Sequence, residues 1–109
     1  MAMPALADTD RDLEATLKAL ASARRLQILE WLKDPVAHFP PQEHGDPIVD
    51  GACNQFIADK LGVSQPAASR HLKVLTDAGL IIATPRQGWV YYRRDDDALD
   101  TVKRDLHDL

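Results

Sequence analysis

Residues 62–66 read Gly-Val-Ser-Gln-Pro, a stop signal followed at once by a start signal, set between two amphipathic stretches. A glycine just past a helical run supplies the left-handed residue that closes a helix. A serine two positions later is a favoured N-cap, and a proline in the first turn loses little by lacking its N–H. Phe56, Ile57 and Leu61 lie before the signal, in a short helix beginning at Cys53 or Asn54. Ala68, Leu72 and Leu75 lie after it, on one side of a second helix that Gly79 ends. Two short helices joined by a three-residue turn are the outline of a helix-turn-helix.

The flanking sequence completes a mainly α pattern with a small β-hairpin. Thr9 is the expected cap of a first helix, whose stripe is Leu13, Leu17 and Leu20. Ser22 caps a second helix, with Leu26, Leu29 and Leu32 as its stripe and Ile28 and Trp31 widening it. Pro35 ends that helix. Residues 34–52 hold four prolines and two glycines and read as a long acidic loop, pinned by Phe39, Ile48 and Val49. After Gly79, the runs Leu80–Ala83 and Trp89–Tyr92 flank a turn-rich Thr84–Gly88 and predict a hairpin. Asp95–Asp97 lead a last helix striped by Leu99, Val102, Leu106 and Leu109.

At 109 residues the chain fits one domain, residues 1–109, without repeats. Met1 to Asp10 lacks the basic start and apolar stretch of a signal peptide, and no apolar run is long enough to span a membrane. One cysteine cannot form an internal disulfide. A cytoplasmic protein without membrane partners is expected. No paired nucleophile and base, Gly-rich phosphate loop or complete metal triad is legible, so an enzyme is not expected.

The net charge of −4 argues at first against nucleic acid, but its distribution reverses that inference. Residues 34–59 carry five acids and no base, whereas residues 60–94 carry six bases and one acid. The basic block coincides with the helix-turn-helix and hairpin. It suggests one face for an anionic partner, with the rest of the chain repelling it. The outer side of the second helix displays Pro66, Arg70 and Lys73, flanked by Ala67 and Ser69. Ser64 and Gln65 stand at its N-terminal end, the part that approaches base edges in a major groove, and its first-turn N–H groups favour phosphate. Arg86 and Gln87 lie at the hairpin tip, with Arg93 and Arg94 at its base, so the hairpin reads as a basic wing. Double-stranded DNA is the expected partner.

The stretch Leu61-Gly62-Val63-Ser64-Gln65-Pro66-Ala67-Ala68-Ser69-Arg70-His71-Leu72-Lys73-Val74-Leu75 resembles the recognition element of the ArsR/SmtB family of winged helix-turn-helix regulators. Leu17-Lys18-Ala19-Leu20-Ala21 with Arg24-Arg25-Leu26-Gln27-Ile28-Leu29 is similar to that family's N-terminal signature. Asp77-Ala78-Gly79-Leu80-Ile81 and Gly88-Trp89-Val90-Tyr91-Tyr92-Arg93 are similar to its wing. The resemblance implies a transcription factor that usually represses, and a homodimer built on the first and last helices. Leu13, Leu17, Leu20, Leu99, Val102 and Leu106 are the residues such an interface would use, though the same stripes could be ordinary core.

Members of the family often bind metal or metalloid. The resemblance places Cys53, Gln55 and Ala58 where thiolate ligands would stand, and one sulfur does not make a soft-metal site. Asp97 and His107 on the last helix could meet only across a dimer axis. In the loop, His38, Glu43, His44, Asp46 and Asp50 suit nickel, zinc or cobalt. A divalent-metal sensor, acting directly or through an effector-sensing partner protein, is therefore one alternative. A winged-helix module that binds protein instead of DNA is another. His71 reads as a packing or phosphate-contact residue, and Cys53 as a small buried hydrophobe whose thiol chemistry is open.

Overall fold

The computed structural model describes residues 8–42 and 44–109, the side chains of residues 8–11 excepted. Six helices and three strands follow in chain order: α1 (Asp8–Leu20), α2 (Ala23–Trp31), α3 (Pro35–His38), β1 (Ala52–Cys53), α4 (Asn54–Leu61), α5 (Gln65–Asp77), β2 (Ile81–Arg86), β3 (Trp89–Arg94) and α6 (Asp96–His107). This is the expected winged helix-turn-helix with two additions, a one-turn helix inside the loop and a short strand at its end. Among the described residues no helix is long and apolar enough to cross a membrane.

Local chemistry explains most of the boundaries. Ser22 Oγ accepts the Arg25 N–H and caps α2, and Asp95 Oδ1 accepts the Ala98 N–H and caps α6. α1 begins at Asp8, one residue ahead of the expected cap Thr9, and its capping side chains fall outside the described residues. α2 ends as expected before Pro35, yet Pro35 also opens α3. A proline at the first helical position is pre-shaped for a helix, and Asp34 Oδ1 caps the Ala37 N–H.

The core is centred on Ile28, Ile57, Leu72, Leu75 and Leu80, each fully buried. Burial of each such side chain contributes roughly 1.5–3 kcal/mol. The stripes on three helices are phased differently from the leucine spacing. α2 presents Ile28, Leu29 and Leu32 to the core and leaves Leu26 52% exposed. α1 is anchored by Thr16 and Ala19, with Leu17 turned outward. On α6, Leu99 is buried, Val102 is packed beside it and Leu106 is exposed, while Leu109 lies beyond the helix end and is exposed.

The loop is ordered by polar contacts and glycines, not by the residues expected to pin it. Ile48 and Val49 are exposed, 80% and 63%; only Phe39 packs against the core, edge-on to Trp31 at 6.2 Å between ring centroids. Asp46 Oδ1 accepts the N–H groups of Ile48 and Val49, and the Asp46 carbonyl accepts those of Asp50 and Gly51. Gln42 works as a surrogate strand: its amide donates to the Gly51 carbonyl and accepts the Cys53 N–H. The chain then enters β1, where Ala52 pairs with Tyr92 and Cys53 with Tyr91, giving a three-stranded antiparallel sheet in the order β1-β3-β2.

The wing is tighter than the sequence suggests. The predicted turn, Thr84–Gly88, shrinks to Gln87-Gly88, because Thr84, Pro85 and Arg86 continue β2 and pair with Tyr91, Val90 and Trp89. Gln87 and Gly88 both adopt positive φ, 50° and 83°, as a two-residue turn matched to strand twist requires. Pro85 is tolerated because β2 is an edge strand and the Pro85–Val90 pair, one step from the turn-closing pair, needs no N–H from proline.

Gly51 is the most tightly enclosed of the glycines. Its φ is +93°, and a Cβ there would lie 1.8 Å from the Tyr92 carbonyl oxygen. Gly51→Ala is expected to destabilise the domain by about 3 kcal/mol or more and lower its Tm by over about 10 °C. Gly62→Ala, at φ +70° with nothing within 4 Å of the added Cβ, should cost only about 1 kcal/mol. Thermal denaturation of the two variants checks the contrast.

Candidate nucleic-acid interface

The helix-turn-helix is built by two copies of one C-terminal device. At the end of α4, the Gly62 N–H donates to the Asp59 carbonyl and the Val63 N–H to the Ala58 carbonyl, with Gly62 at φ 70°. At the end of α5, the Gly79 N–H donates to Thr76 and the Leu80 N–H to Leu75, with Gly79 at φ 75°. Both are Schellman closures, which satisfy orphan carbonyls and reverse the chain sharply. Ser64 Oγ caps α5 by accepting the Ala67 N–H at 3.3 Å, and Pro66 occupies the first turn.

α5 is seated by Ala68, Leu72 and Leu75, all at 0% exposure. Its other side leaves Ser64, Gln65, Pro66, Ser69, Arg70 and Lys73 exposed, with Ala67 half-buried at the flank. The first turn offers fewer N–H groups to an anion than its position suggests. Pro66 has none and Ser64 takes that of Ala67, which narrows the supply to Ser64 and Gln65. Lys73 Nζ is held 3.0 Å from Asp77 Oδ2 on the same helix face, an exposed pair that contributes little stability and exchanges readily for a phosphate.

The six cations of the basic block divide into distinct roles. Arg70 and Arg93 are exposed. Arg86 lies at the wing tip, but its Nη2 is 3.4 Å from Asp50 Oδ1 in the loop. Asp50 is buried. The Asp46 N–H, donated at 2.9 Å, holds its carboxyl below the usual range against the opposing effect of burial, and Arg86 adds to the shift. Arg94 is a tie: its Nη1 donates to the Leu29 carbonyl and its Nε faces Asp96. Lys60 lies over the Trp31 ring, 5.2 Å from the centroid, on the loop side.

Two further cations come from a segment of zero net charge. Arg25 Nη1 lies 3.1 Å from His71 Nδ1 on α5, while Arg25 Nε and Nη2 donate to the carbonyls of Ala19 and Lys18 at the end of α1. Arginine only donates, so His71 Nδ1 accepts and the imidazole proton sits on Nε2. Burial lowers the His71 pKa, and Arg25, Arg24 and Arg70 lower it further. Arg24, exposed on α2, therefore belongs to the positive field around α5. No spacing in the sequence signals this; it follows from α2 packing beside α5. His71 is half-buried and held by Arg25.

Among the described residues of one chain the candidate metal ligands are not gathered. Among the described residues no three His, Cys, Asp or Glu side chains form a group able to hold a metal ion. Asp46 spends an oxygen on its own turn. Glu43 lies outside the described residues. His38 ends α3, His44 is exposed in the loop, and Asp97 and His107 are exposed near opposite ends of α6. Cys53 is buried and caps α4, its Sγ accepting the Phe56 N–H at 3.5 Å.

Residues 52–83, from β1 to the middle of β2, match the family model described as bacterial regulatory protein, arsR family. The chain is 46% identical over 82 residues to an uncharacterized HTH-type transcriptional regulator, YbzH, of Bacillus subtilis (strain 168), covering 75% of this chain and 82% of that protein. Among solved structures it is similar to a "possible transcriptional regulatory protein" (fragment 1–100) of Mycobacterium bovis, with a TM-score of 0.67, 26% identity, and 94% and 98% of the two chains covered. It is also similar to the homodimeric winged helix-turn-helix DNA-binding domain Mb0332 of Mycobacterium bovis, with a TM-score of 0.64, 25% identity, and 93% and 84% covered.

The Arg25–His71 contact has a pH signature. A proton on His71 would destroy its acceptor and set a cation against Arg25. The folded chain therefore binds that proton less readily than the unfolded chain. His71 costs nothing above its ordinary value of 6.5 and destabilises the fold progressively as pH falls below it. The Tm should fall between about pH 7.5 and 5.5, and His71→Gln, which keeps an acceptor, should flatten that dependence.

Proposed function

The chain belongs to the ArsR family of bacterial regulatory proteins, and from that premise we propose that it is a dimeric repressor that binds an inverted-repeat operator in the cytoplasm. As a winged helix-turn-helix transcriptional regulator it is not an enzyme. The observation that carries the proposal is the division of α5: a fully buried side of Ala68, Leu72 and Leu75, and an exposed side of Gln65, Ser69, Arg70 and Lys73 beside Arg24. A helix so held enters a major groove with its N-terminal end toward the bases. Gln65, Ser69 and Arg70 then read base edges, while Ser64, Lys73, Arg24 and Arg93 contact phosphates. Arg86 and Gln87 carry the wing along the neighbouring backbone, which requires Arg86 to exchange Asp50 for phosphate.

Dimerisation is supported by the apolar surface of the terminal helices. Leu17 and Leu106 are 42% and 40% exposed, and Leu13 and Val102 line an open cleft of about 310 Å³ between α1 and α6. The Mycobacterium bovis domain of the same fold is homodimeric. Two copies joined there would present two α5 helices to successive major grooves, about 34–36 Å apart, on one side of the duplex. Asp97 and His107 would also come nearest to their partners' counterparts in this arrangement, and titration with nickel, zinc or cobalt tests whether a divalent metal is the effector.

Gel-shift titration against fragments of the chain's own promoter tests the proposal. Arg70→Ala is expected to cost about 1–3 kcal/mol in operator binding and to relax specificity. Lys73→Ala should weaken binding to all sequences and reduce the salt slope by about 1. Binding that shows neither salt dependence nor sequence preference would overturn the assignment. Leu106→Asp should convert the dimer to monomer in sedimentation velocity and weaken operator binding at least about tenfold.

A further inference from the structure

The wing has two faces, and the strand register divides its cations between them. Cross-strand partners share a face, and successive residues along a strand alternate. The pairs Ile81–Arg94, Ala83–Tyr92 and Pro85–Val90 make the inner face, where Ile81 lies in the core, Tyr92 packs against it and Arg94 reaches the Leu29 carbonyl. The pairs Ile82–Arg93, Thr84–Tyr91 and Arg86–Trp89 make the outer face, which carries the other two arginines of the wing. Tyr91 stands on that outer face and outside the core, yet it is buried. The acidic loop covers it: Gly45 lies so close to the ring that a Cβ there would stand 2.7 Å from Cε1.

The same loop sets a carboxylate beside the outer arginines. Asp50 Oδ1 is 3.4 Å from Arg86 Nη2, and the Asp46 N–H, then Arg86 and Arg93, hold the Asp50 carboxyl below its usual range against the effect of burial. The carboxylate does not depend on Arg86 for its place. Its Oδ2 accepts the Asp46 N–H at 2.9 Å, and the Asp50 N–H donates to the Asp46 carbonyl at 2.7 Å. Arg86 is exposed over half its side chain and meets the carboxylate through one long contact. A pair of that kind contributes little to a fold. The loop closes on β3 through Gly45 and Gly51, whereas Arg86–Asp50 is, among the described residues, the only hydrogen bond or ion pair joining it to β2. The contact therefore governs whether the wing-tip cation is available and adds little to the stability of the wing.

A fixed anion held against arginines is also what a DNA phosphate presents to a wing. We propose that the acidic loop is a built-in competitor of DNA: the Asp50 carboxylate stands in for a backbone phosphate at Arg86 and weakens the grip of the wing until a duplex seated on α5 displaces it. This regulation rests on the proposed operator binding by α5 and the wing. A shift that draws the 46–50 turn off the outer face releases Arg86 and strengthens that binding, so the loop sets the affinity of the wing without touching the recognition helix.

The test is a double-mutant cycle read by gel shift on operator DNA. Asp50→Asn removes the charge and keeps an oxygen for the Asp46 N–H, and Asp50→Ser is a second neutral acceptor should the first lower the melting temperature. Asp34→Asn removes an equal charge from the exposed cap of α3 and serves as the control. Asp50→Asn should bind operator about threefold tighter or more, while Asp34→Asn stays within about twofold of the wild-type chain. Combined with Arg86→Ala, the gain from Asp50→Asn should shrink below about twofold. In the DNA-free chain, the Arg86 Nε–H resonance should shift on Asp50→Asn. A gain that persists without Arg86, an equal gain from Asp34→Asn, or unchanged or weaker binding by a folded Asp50 variant would each overturn the proposal. A wild-type chain that binds operator while the neutral Asp50 variants bind no tighter loses only the competitor. A chain whose Arg86 resonance responds to Asp50 but which binds no DNA in any variant loses the operator reading, and the competitor falls with it.

Discussion

Two residue pairs, Ala52 with Tyr92 and Cys53 with Tyr91, connect everything that the proposed function uses. A two-stranded hairpin is marginally stable in water, and the β2–β3 wing is held to the body by Ile81 in the core and by β1 along the free edge of β3. The same two residues end the loop and deliver the chain into α4 at Asn54, so the strand that supports the wing also sets where the helix-turn-helix begins. The approach is so close that only glycine fits at residue 51. Gln42 then covers the outer edge of β1 with its side-chain amide, which leaves the Gly51 carbonyl and the Cys53 N–H satisfied without a fourth strand. The long acidic segment is therefore a brace between wing and helices.

What could be read in the sequence was whatever is encoded locally. The Gly62-Val63-Ser64 turn, the Gly79 closure, the Ser22 and Asp95 caps and the buried side of α5 all depend on backbone and side-chain chemistry within a few residues, and the structure shows each of them. The brace was not legible because none of its contacts is periodic. Gln42 reaches eleven residues ahead to Cys53, and Asp50 reaches thirty-six residues to Arg86. The two-residue wing turn was obscured by Pro85, which looks like a turn residue unless the strand is known to be an edge. Leu26 and Leu17 kept helical spacing yet turned outward, since spacing defines a stripe and packing decides which stripe faces the core.

The candidate interface was legible on α5 and less so elsewhere, for an electrostatic reason. Counting charges along the chain treats every cation as available. The folded chain assigns Arg94 to the Leu29 carbonyl, Lys60 to the Trp31 ring and Arg86 to Asp50, and it brings in Arg24 and Arg25 from a neutral segment. Arg25 is the most constrained of these. It ties the end of α1, the start of α2 and His71 on α5 into one node. Since α1 carries part of the proposed dimer face, this node links the spacing of two copies to the position of each recognition helix.

An acidic chain can present a DNA-binding face because charges interact over limited distances. The Debye length is about 8 Å at physiological salt, so a phosphate near Arg70 experiences Arg24 and Arg25 strongly and the acids of α6 weakly. The acidic surfaces act at longer range and lower salt, where they repel the duplex from every face except the one carrying α5 and the wing. Net charge then sets orientation, while local charge sets affinity. Arg86 stands where the two regimes meet. Its loop partner Asp50 is buried and held ionised by a backbone N–H, so the carboxylate stays in place whether or not Arg86 is there. A phosphate must therefore outcompete a fixed, oriented anion for that arginine. The wing tip is accordingly the weakest and most salt-sensitive contact of the proposed interface, and the one at which a shift of the loop has the largest effect.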